Sequence, residues 1–244
     1  MSVAASAPRD VLVLGCGRSG TSIFGELFES LPGYRYLSEP PVDVLRSSTG
    51  APALATKVPH VPDAAAAQER VATMVGAMDD PIVIWVVRHP LDAIASLRVG
   101  IADGWGHHPR PTDWEQWLDR PLVERCAHHW ATVNTVEWES ARRHIRRVQR
   151  YEAMVTDPEC TAREVAALVG TSPDEATERW WRRVRDRDDE HYVEARTSRR
   201  RSRPDHTVRV GRWRENLSPA DISAVAPIVA EAAALHGYDV RSAG

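Results

Sequence analysis

This chain contains a single lysine, no closely spaced cysteines and no long hydrophobic run. Lys57 is the only lysine among the 31 lysine and arginine residues. The three cysteines, Cys16, Cys126 and Cys160, form no Cys-x-x-Cys pair, so the sequence indicates neither a disulfide framework nor a zinc site. No apolar run approaches the roughly 20 residues of a membrane helix. The formal net charge of −3 supplies no global basic field for nucleic acid.

The start of the chain, residues 1–10, lacks the charged end and apolar core of a secretory signal peptide. We therefore expect a cytoplasmic protein with no membrane partner. A basic run at 199–201 lies in a chain that is acidic overall, so it does not by itself indicate a nucleic-acid partner. Hydrophobic residues make up 43% of the 244 positions, which is enough to bury a sizeable core.

Short apolar runs alternate with longer mixed segments along the chain. The apolar runs predict strands buried on both faces of a parallel sheet, at 10–15, 54–58, 82–87 and 146–151. The mixed segments predict helices at 20–31, 63–78, 90–99, 120–143, 160–169, 173–186 and 219–235. This alternation predicts one three-layer α/β domain over 1–244, with a central, mostly parallel sheet flanked by helices. Irregular loops or lids are expected at 101–119 and 194–211.

A glycine-rich loop follows the first predicted strand. Gly15 and Gly20 are separated by four residues, the spacing of a phosphate-binding loop. Such a loop directs backbone N–H groups at an anion, and the N-terminus of the next helix adds a favourable dipole. A nucleoside-triphosphate P-loop continues with Lys, whereas here Thr21 and Ser22 follow and the cation, Arg18, lies inside the loop. The loop therefore predicts a site for a phosphate-like group without the usual lysine.

A second basic element follows the strand predicted at 82–87. Arg88 comes directly after the strand, Pro90 starts a helix, and Ser96 lies further along that helix. Ligands of parallel α/β sheets bind beyond the carboxyl ends of the strands, so Arg88 and the glycine-rich loop point to the same edge. Taken alone, Arg88 could equally cap a helix or pair with an acid.

A third basic element, residues 208–218, precedes the last predicted helix. It places Gly211 between Val210 and Arg212 in an arginine-rich segment. A glycine in this setting can close over an anionic ligand. Taken alone, the segment is equally well explained as a solvated basic turn.

Together and in this order, the three elements resemble the PAPS-dependent sulfotransferases, most closely their bacterial and Golgi-type branches. These enzymes transfer a sulfuryl group from 3′-phosphoadenosine-5′-phosphosulfate (PAPS) and release adenosine 3′,5′-bisphosphate (PAP). Residues 17–22 match the family's 5′-phosphosulfate loop, and Arg88 with Ser96 matches its 3′-phosphate pair. Residues 210–213 resemble its C-terminal Gly-x-Trp-Lys/Arg element, and 150–152 resemble its Arg-Tyr-Glu segment. The resemblance covers 11–218 and implies a P-loop-like fold.

The resemblance also implies which residues bind the donor. The loop hydroxyls, backbone N–H groups and guanidinium would hold the 5′-phosphosulfate, and the tyrosine would lie near the adenosine. A hydroxyl residue about one family-like interval before Arg212, which is Ser198 or its neighbour Thr197 or Ser202, would add a contact from a lid. A plain flexible basic loop is the alternative. The implied donor-binding residues are Gly17, Arg18, Ser19, Gly20, Thr21, Ser22, Arg88, Ser96, Tyr151, Ser198, Gly211 and Arg212.

The catalytic residues follow from the same resemblance. Arg18 would contact the reacting group, and Lys57, in a segment like the family's Lys-x-Pro, would neutralise charge on the leaving phosphate oxygen. The alternative for Lys57 is an ordinary surface lysine. Glu39 is the first candidate for the general base, with an arginine-paired loop carboxylate as the alternative. His60 is the second candidate, although its Lys-x-x-His spacing departs from the family's Lys-x-His.

Two adjacent histidines and several tryptophans mark the least family-like segment. His107 and His108 are a third choice of base and are otherwise surface or pocket-lining residues, because no third metal ligand is evident. Trp105, Trp114 and Trp117 predict an acceptor pocket, with core packing as the alternative. No metal is expected.

The resulting expectation is direct, in-line sulfuryl transfer from PAPS to a hydroxyl of a small molecule or glycan. One alternative is a P-loop kinase using ATP-Mg. The missing lysine after Gly20 argues against it, as does Arg88 in place of a magnesium-holding aspartate. The other alternative is a non-catalytic nucleotide-binding module.

Overall fold

Five parallel strands form the centre of the computed structural model, which describes residues 8–46, 52–61, 66–102, 104–185 and 210–240. The strands lie in the order β2-β3-β1-β4-β5, and every neighbouring pair is parallel. They are β1 (Val11–Gly15), β2 (Tyr34–Ser38), β3 (Ala53–Lys57), β4 (Ile82–Val87) and β5 (Ile145–Arg150). This sheet, with helices on both faces, confirms the predicted α/β fold class.

Helices connect the strands and cover the sheet. The shorter ones are α2 (Val42–Arg46), α6 (Trp138–Ala141), α7 (Tyr151–Thr156) and α10 (Trp213–Asn216). The longer ones are α1 (Thr21–Ser30), α3 (Ala67–Gly76), α4 (Pro90–Ile101), α5 (Leu122–Thr132), α8 (Pro158–Val169), α9 (Glu175–Arg185) and α11 (Pro219–Leu235). A 3₁₀ turn covers Trp114–Trp117, and a π turn over Val133–Glu137 joins α5 to α6.

The two faces of the sheet are packed separately, because alternate residues of a strand point to opposite sides. On one face, Leu12 and Trp85 pack with α4, α5 and α11. On the other face, Val13 and Ile84 pack with α1, α8 and α9. All six residues of β4 are buried, as expected for a β-branched and aromatic run covered on both faces. The three layers predicted from the sequence are therefore present.

The four predicted strands are confirmed to within one residue at each end, whereas β2 was not predicted. The sequence of β2, Tyr-Arg-Tyr-Leu-Ser, is only partly buried at the sheet edge, so it lacks the apolar run that marks the inner strands. Tyr151 begins α7 instead of ending β5. The helix predicted at 120–143 is broken by the π turn.

The two predicted irregular segments are described to different extents. Residues 101–119 contain the end of α4 and the 3₁₀ turn. Most of 194–211, with Ser198, lies outside the described residues. Within the described ranges, no helix is long and apolar enough to cross a membrane. The single-domain organisation over 1–244 stays a prediction.

Candidate active site

The loop between β1 and α1 needs its glycines because other backbone and side-chain atoms approach it closely. Gly15 has a φ of 144°, and a Cβ there would lie 2.2 Å from the carbonyl oxygen of Val86. Gly20 has a φ of 91°, and a Cβ there would lie 2.4 Å from the ring of Tyr151. Arg18 also has a positive φ, 65°. The backbone is thus held in a conformation that turns sharply into the N-terminus of α1.

Arg18, Ser96, Arg88 and Tyr151 lie together at the carboxyl edge of the sheet. The Nε of Arg18 donates to the Ser96 hydroxyl at 3.0 Å, and Arg88 donates to the Arg18 carbonyl oxygen at 3.1 Å. The Arg88 guanidinium carbon lies 4.1 Å from the centroid of the Tyr151 ring. Arg88 is only 3% exposed, so the stacking is largely shielded from water and is correspondingly stronger.

A third arginine, Arg212, joins this group from the other end of the chain. Burial and the neighbouring Arg88 lower the pKa of Arg212 to about 10. Burial and Arg88 also lower the pKa of Arg18. Within the described residues, the buried Nε and Nη2 of Arg212 have no hydrogen-bond partner, and neither does the buried hydroxyl of Ser19. The site therefore concentrates positive charge and hydrogen-bonding capacity in a small, poorly hydrated volume.

Lys57 lies at the end of β3, beside the loop that follows β1. Its ammonium group donates to the Ser22 hydroxyl at 3.0 Å and lies 2.6 Å from Glu39 Oε1. The Lys57 side chain is 6% exposed, whereas that of Glu39 is 64% exposed. The surface-lysine alternative is therefore wrong, and among the described residues Glu39 pairs with this lysine and not with an arginine. The roles of both residues in a reaction stay predictions.

A pocket of about 670 Å³ opens beside this ion pair. Its lining includes Glu39 and His60, the two leading candidates for the general base. His107 also lines it and packs against the loop, since a Cβ on Gly17 would lie 3.1 Å from the His107 Nδ1. The ring of His60 lies 5.8 Å from that of His108, centroid to centroid. The structure thus places all four of these candidate side chains around one cavity.

The predicted tryptophan-rich insert contributes to the pocket only in part. Trp114 lines the pocket, and the Arg110 guanidinium lies over its ring at 4.7 Å from the centroid. Trp105 is fully buried in the core, and Trp117 stacks on His128 at 4.0 Å between centroids. Core packing, the alternative reading of the insert, is therefore correct for Trp105. In the described part of the chain, no group of three or more histidine, cysteine or acidic side chains could hold a metal ion.

Two carboxylates to which the sequence assigned no role connect distant parts of the site. Asp92 accepts the backbone N–H groups of Gly211 and Trp213. Glu152 accepts the backbone N–H of His89 at 2.8 Å, and its other oxygen accepts the Tyr238 hydroxyl at 2.8 Å. For Asp92 the sequence signal was position alone, four residues after Arg88, whereas Glu152 is the last residue of the Arg-Tyr-Glu segment at 150–152.

A buried ion pair, Arg70 with Glu137, was also missed. It joins α3 to the π turn, and both side chains line the pocket. Burial raises the pKa of Glu137, and the Arg70 guanidinium acts in the opposite direction. Nothing in the sequence separates these two residues from ordinary surface charges on helices. The π turn that carries Glu137 is of a kind found frequently at functional sites.

Neither models of protein families nor the sequences of curated proteins match this chain. Solved structures do match its fold. The sulfotransferase domain of the Synechococcus PCC 7002 olefin synthase matches with a TM-score of 0.61 and 16% identity, over 98% of each chain. Mouse sulfotransferase SULT7A1, complexed with PAP, matches with a TM-score of 0.57 and 14% identity, over 92% of this chain and 84% of that one. Sulfotransferase STF9 from Mycobacterium avium matches with a TM-score of 0.54 and 14% identity, over 96% and 78%. The chain therefore has the fold of the sulfotransferases.

Proposed function

We propose that this protein is an enzyme that transfers a sulfuryl group from PAPS to an acceptor. The observation that carries the proposal is the convergence of Arg18, Arg88 and Arg212 beside the loop that follows β1. Neighbouring guanidinium groups oppose one another's charge, and a multiply charged anion would relieve that opposition through charge-assisted hydrogen bonds. One protein of the same fold has been described in complex with PAP, the product this reaction would release.

The two phosphate groups of the donor fit different elements of the site. Backbone N–H groups and hydroxyls of residues 19–22 fit the 5′-phosphosulfate, because the loop opens onto the N-terminus of α1. Arg88, Ser96 and Arg212 fit the 3′-phosphate. Buried polar atoms are costly to leave without partners, so the unpartnered Ser19 hydroxyl and Arg212 nitrogens, counted over the described ranges, favour a ligand there. The Tyr151 ring is assigned to contact with the adenosine part of the donor.

When bound, PAPS supplies an activated sulfuryl group. A bond forms between the acceptor oxygen and sulfur while the bond from sulfur to the 5′-phosphate oxygen breaks, in line and without a covalent enzyme intermediate. Lys57 neutralises the charge that grows on the leaving oxygen, with its ammonium group oriented by Ser22. Glu39 takes the proton of the acceptor hydroxyl, and His60 is the alternative base because it lines the same pocket.

The pocket beside Glu39 is assigned to the acceptor. A volume of about 670 Å³ is in the range of pockets that take small organic ligands. Val71, Met74 and Trp114 supply apolar walls, and the Arg70–Glu137 pair supplies polar groups. We infer a hydroxyl acceptor with an apolar body and a further polar group, a small molecule in preference to an extended glycan.

Calorimetry with PAP, ADP and ATP-Mg tests the donor assignment. We expect PAP to bind at least tenfold more tightly than ADP, because ADP lacks the 3′-phosphate. Preference for ATP-Mg would replace the proposal with a kinase, and failure of all three to bind would refute the donor site. PAP binding without transfer to any alcohol of a broad panel would favour a non-catalytic binding module. A cytoplasmic location without membrane or nucleic-acid partners stays a prediction from the sequence.

A further inference from the structure

The carboxylate of Asp92 connects two parts of the site that are far apart in the chain. Its Oδ2 accepts the backbone N–H of Gly211 at 2.8 Å, and its Oδ1 accepts that of Trp213 at 3.0 Å. Asp92 is 1% exposed, so both bonds are made away from bulk water. Hydrogen bonds to a charged acceptor in such surroundings are among the stronger ones in proteins.

Arg212 is the residue between the two N–H groups that Asp92 accepts. On one side, Gly211 turns the chain with a φ of 78°, a value that favours glycine. On the other side, Trp213 is largely buried and stacks on His89 at 6.2 Å between ring centroids. The backbone of Arg212 is thereby held on both sides. This fixes the position from which the Arg212 side chain extends towards Arg88.

A simpler role for Asp92 would be to stabilise the helix on which it lies. It belongs to the first turn of α4, where a carboxylate interacts favourably with the helix dipole. The hydrogen bonds of its side chain within the described residues go instead to a segment 119 and 121 positions later in the chain. The negative charge of Asp92 also affects Arg212 in that segment. It raises the pKa of Arg212, although burial lowers that pKa by more.

We propose that Asp92 is a positioning residue for the donor's 3′-phosphate, and that it acts by holding Arg212 beside Arg88. This inference rests on the proposed function, because it takes the arginine cluster to be the 3′-phosphate site. It predicts a selective defect: loss of Asp92 weakens only ligands that carry the 3′-phosphate.

The experiment compares two ligands that differ at that position, PAP and adenosine 5′-phosphate, by calorimetry on the full chain. In Asp92→Asn, one N–H acceptor is replaced by a donor, so the segment loses one of its two bonds. We expect PAP to bind at least tenfold more weakly to this variant, while the affinity for adenosine 5′-phosphate stays within about twofold. A general loss of fold would weaken both ligands alike, so the ratio separates positioning from stability.

A double variant and a matched control complete the test. In Arg212→Met the group that Asp92 positions is gone, so adding Asp92→Asn is expected to cause little further loss of PAP affinity. Asp221→Asn is the control, because Asp221 also accepts two hydrogen bonds, from the Ser218 N–H and hydroxyl. Asp221 caps α11 and is expected to change thermal stability without changing the ratio of the two affinities.

The outcomes separate failure of this inference from failure of the proposed function. If wild-type protein binds PAP no better than adenosine 5′-phosphate, the proposed function fails and the 3′-phosphate role falls with it. If wild-type protein discriminates but Asp92→Asn keeps that discrimination, or if the two losses add in the double variant, only the role of Asp92 is refuted. Hydrogen exchange at the Gly211 and Trp213 N–H groups, expected to be faster at one of the two in Asp92→Asn, reports directly on the hydrogen bonds themselves.

Discussion

Replacing the single lysine tests the catalytic assignment most directly. In Lys57→Met the side chain keeps its length and loses the ammonium group that contacts Ser22 and Glu39. If that group stabilises charge on the leaving oxygen, its loss lowers kcat by about a hundred- to a thousand-fold, as for other preorganised groups of this kind. PAPS affinity is expected to fall much less, because the charge that Lys57 neutralises is absent from the bound donor and grows on the leaving oxygen only as the bond to sulfur breaks.

The environment of Lys57 predicts a small effect on stability. The Lys57 side chain is 6% exposed, so methionine fills a site that is already shielded from water. Glu39 is 64% exposed, so water can solvate the carboxylate that loses its partner. We therefore expect the free energy of unfolding, measured in urea, to change by less than about 1 kcal/mol.

Single-turnover rates with PAPS and an acceptor, alongside calorimetry with PAPS in the absence of acceptor, measure the two quantities separately. Lys57→Arg is the matched control, since it keeps the charge but replaces a compact ammonium with a planar fork. We expect it to recover only part of the rate. Normal turnover in Lys57→Met would refute the role of the lysine, and a parallel loss of PAPS affinity would show that it serves ground-state binding instead.

Three further predictions concern the loop, the core and the pocket. Gly20→Ala, whose Cβ would lie 2.4 Å from a tyrosine ring, should abolish PAP binding by calorimetry, whereas Gly76→Ala, with nothing within 4 Å, should leave it unchanged. Burial holds the pKa of His129 well below 6.5, so this residue binds more protons in the unfolded chain than in the folded one as the pH falls. His129 alone should lower the free energy of unfolding, measured in urea, by about 1.4 kcal/mol between pH 7.5 and 5.5, and His89 and His236 act in the same direction. In His129→Gln, the loss of stability over this pH range should be smaller by about that amount. A pH dependence identical to that of the wild-type protein would contradict the prediction. Glu137→Leu removes the carboxylate that pairs with Arg70, whose guanidinium is largely shielded from water, and should lower the free energy of unfolding by about 2 kcal/mol. The double variant Arg70→Met/Glu137→Leu should recover most of that loss, and equal losses in the two variants would contradict this.

The parts of the site that could be predicted from the sequence are those that lie next to strong local patterns. Residues 17–22 and Arg88 directly follow buried apolar strands, and in a parallel sheet the carboxyl ends of strands share one edge. The contacts of Asp92 and Glu152 could not be predicted, because their hydrogen-bond partners lie more than sixty residues away in the chain. Side chains that act through distant backbone groups leave no periodic or compositional signal.

The one missed strand, β2, explains how a carboxylate comes to lie beside Lys57. Ser38 at the end of β2 is in register with Lys57 at the end of β3, and the N–H of Glu39 donates to the Lys57 carbonyl oxygen at 2.9 Å. Glu39 then leaves the strand with a φ of 51°, which directs its side chain back to the ammonium group. The family resemblance could name Glu39 without this strand, but only the strand pairing supplies a physical reason for the contact. An edge strand that buries too little apolar surface to be predicted therefore sets the position of the proposed general base.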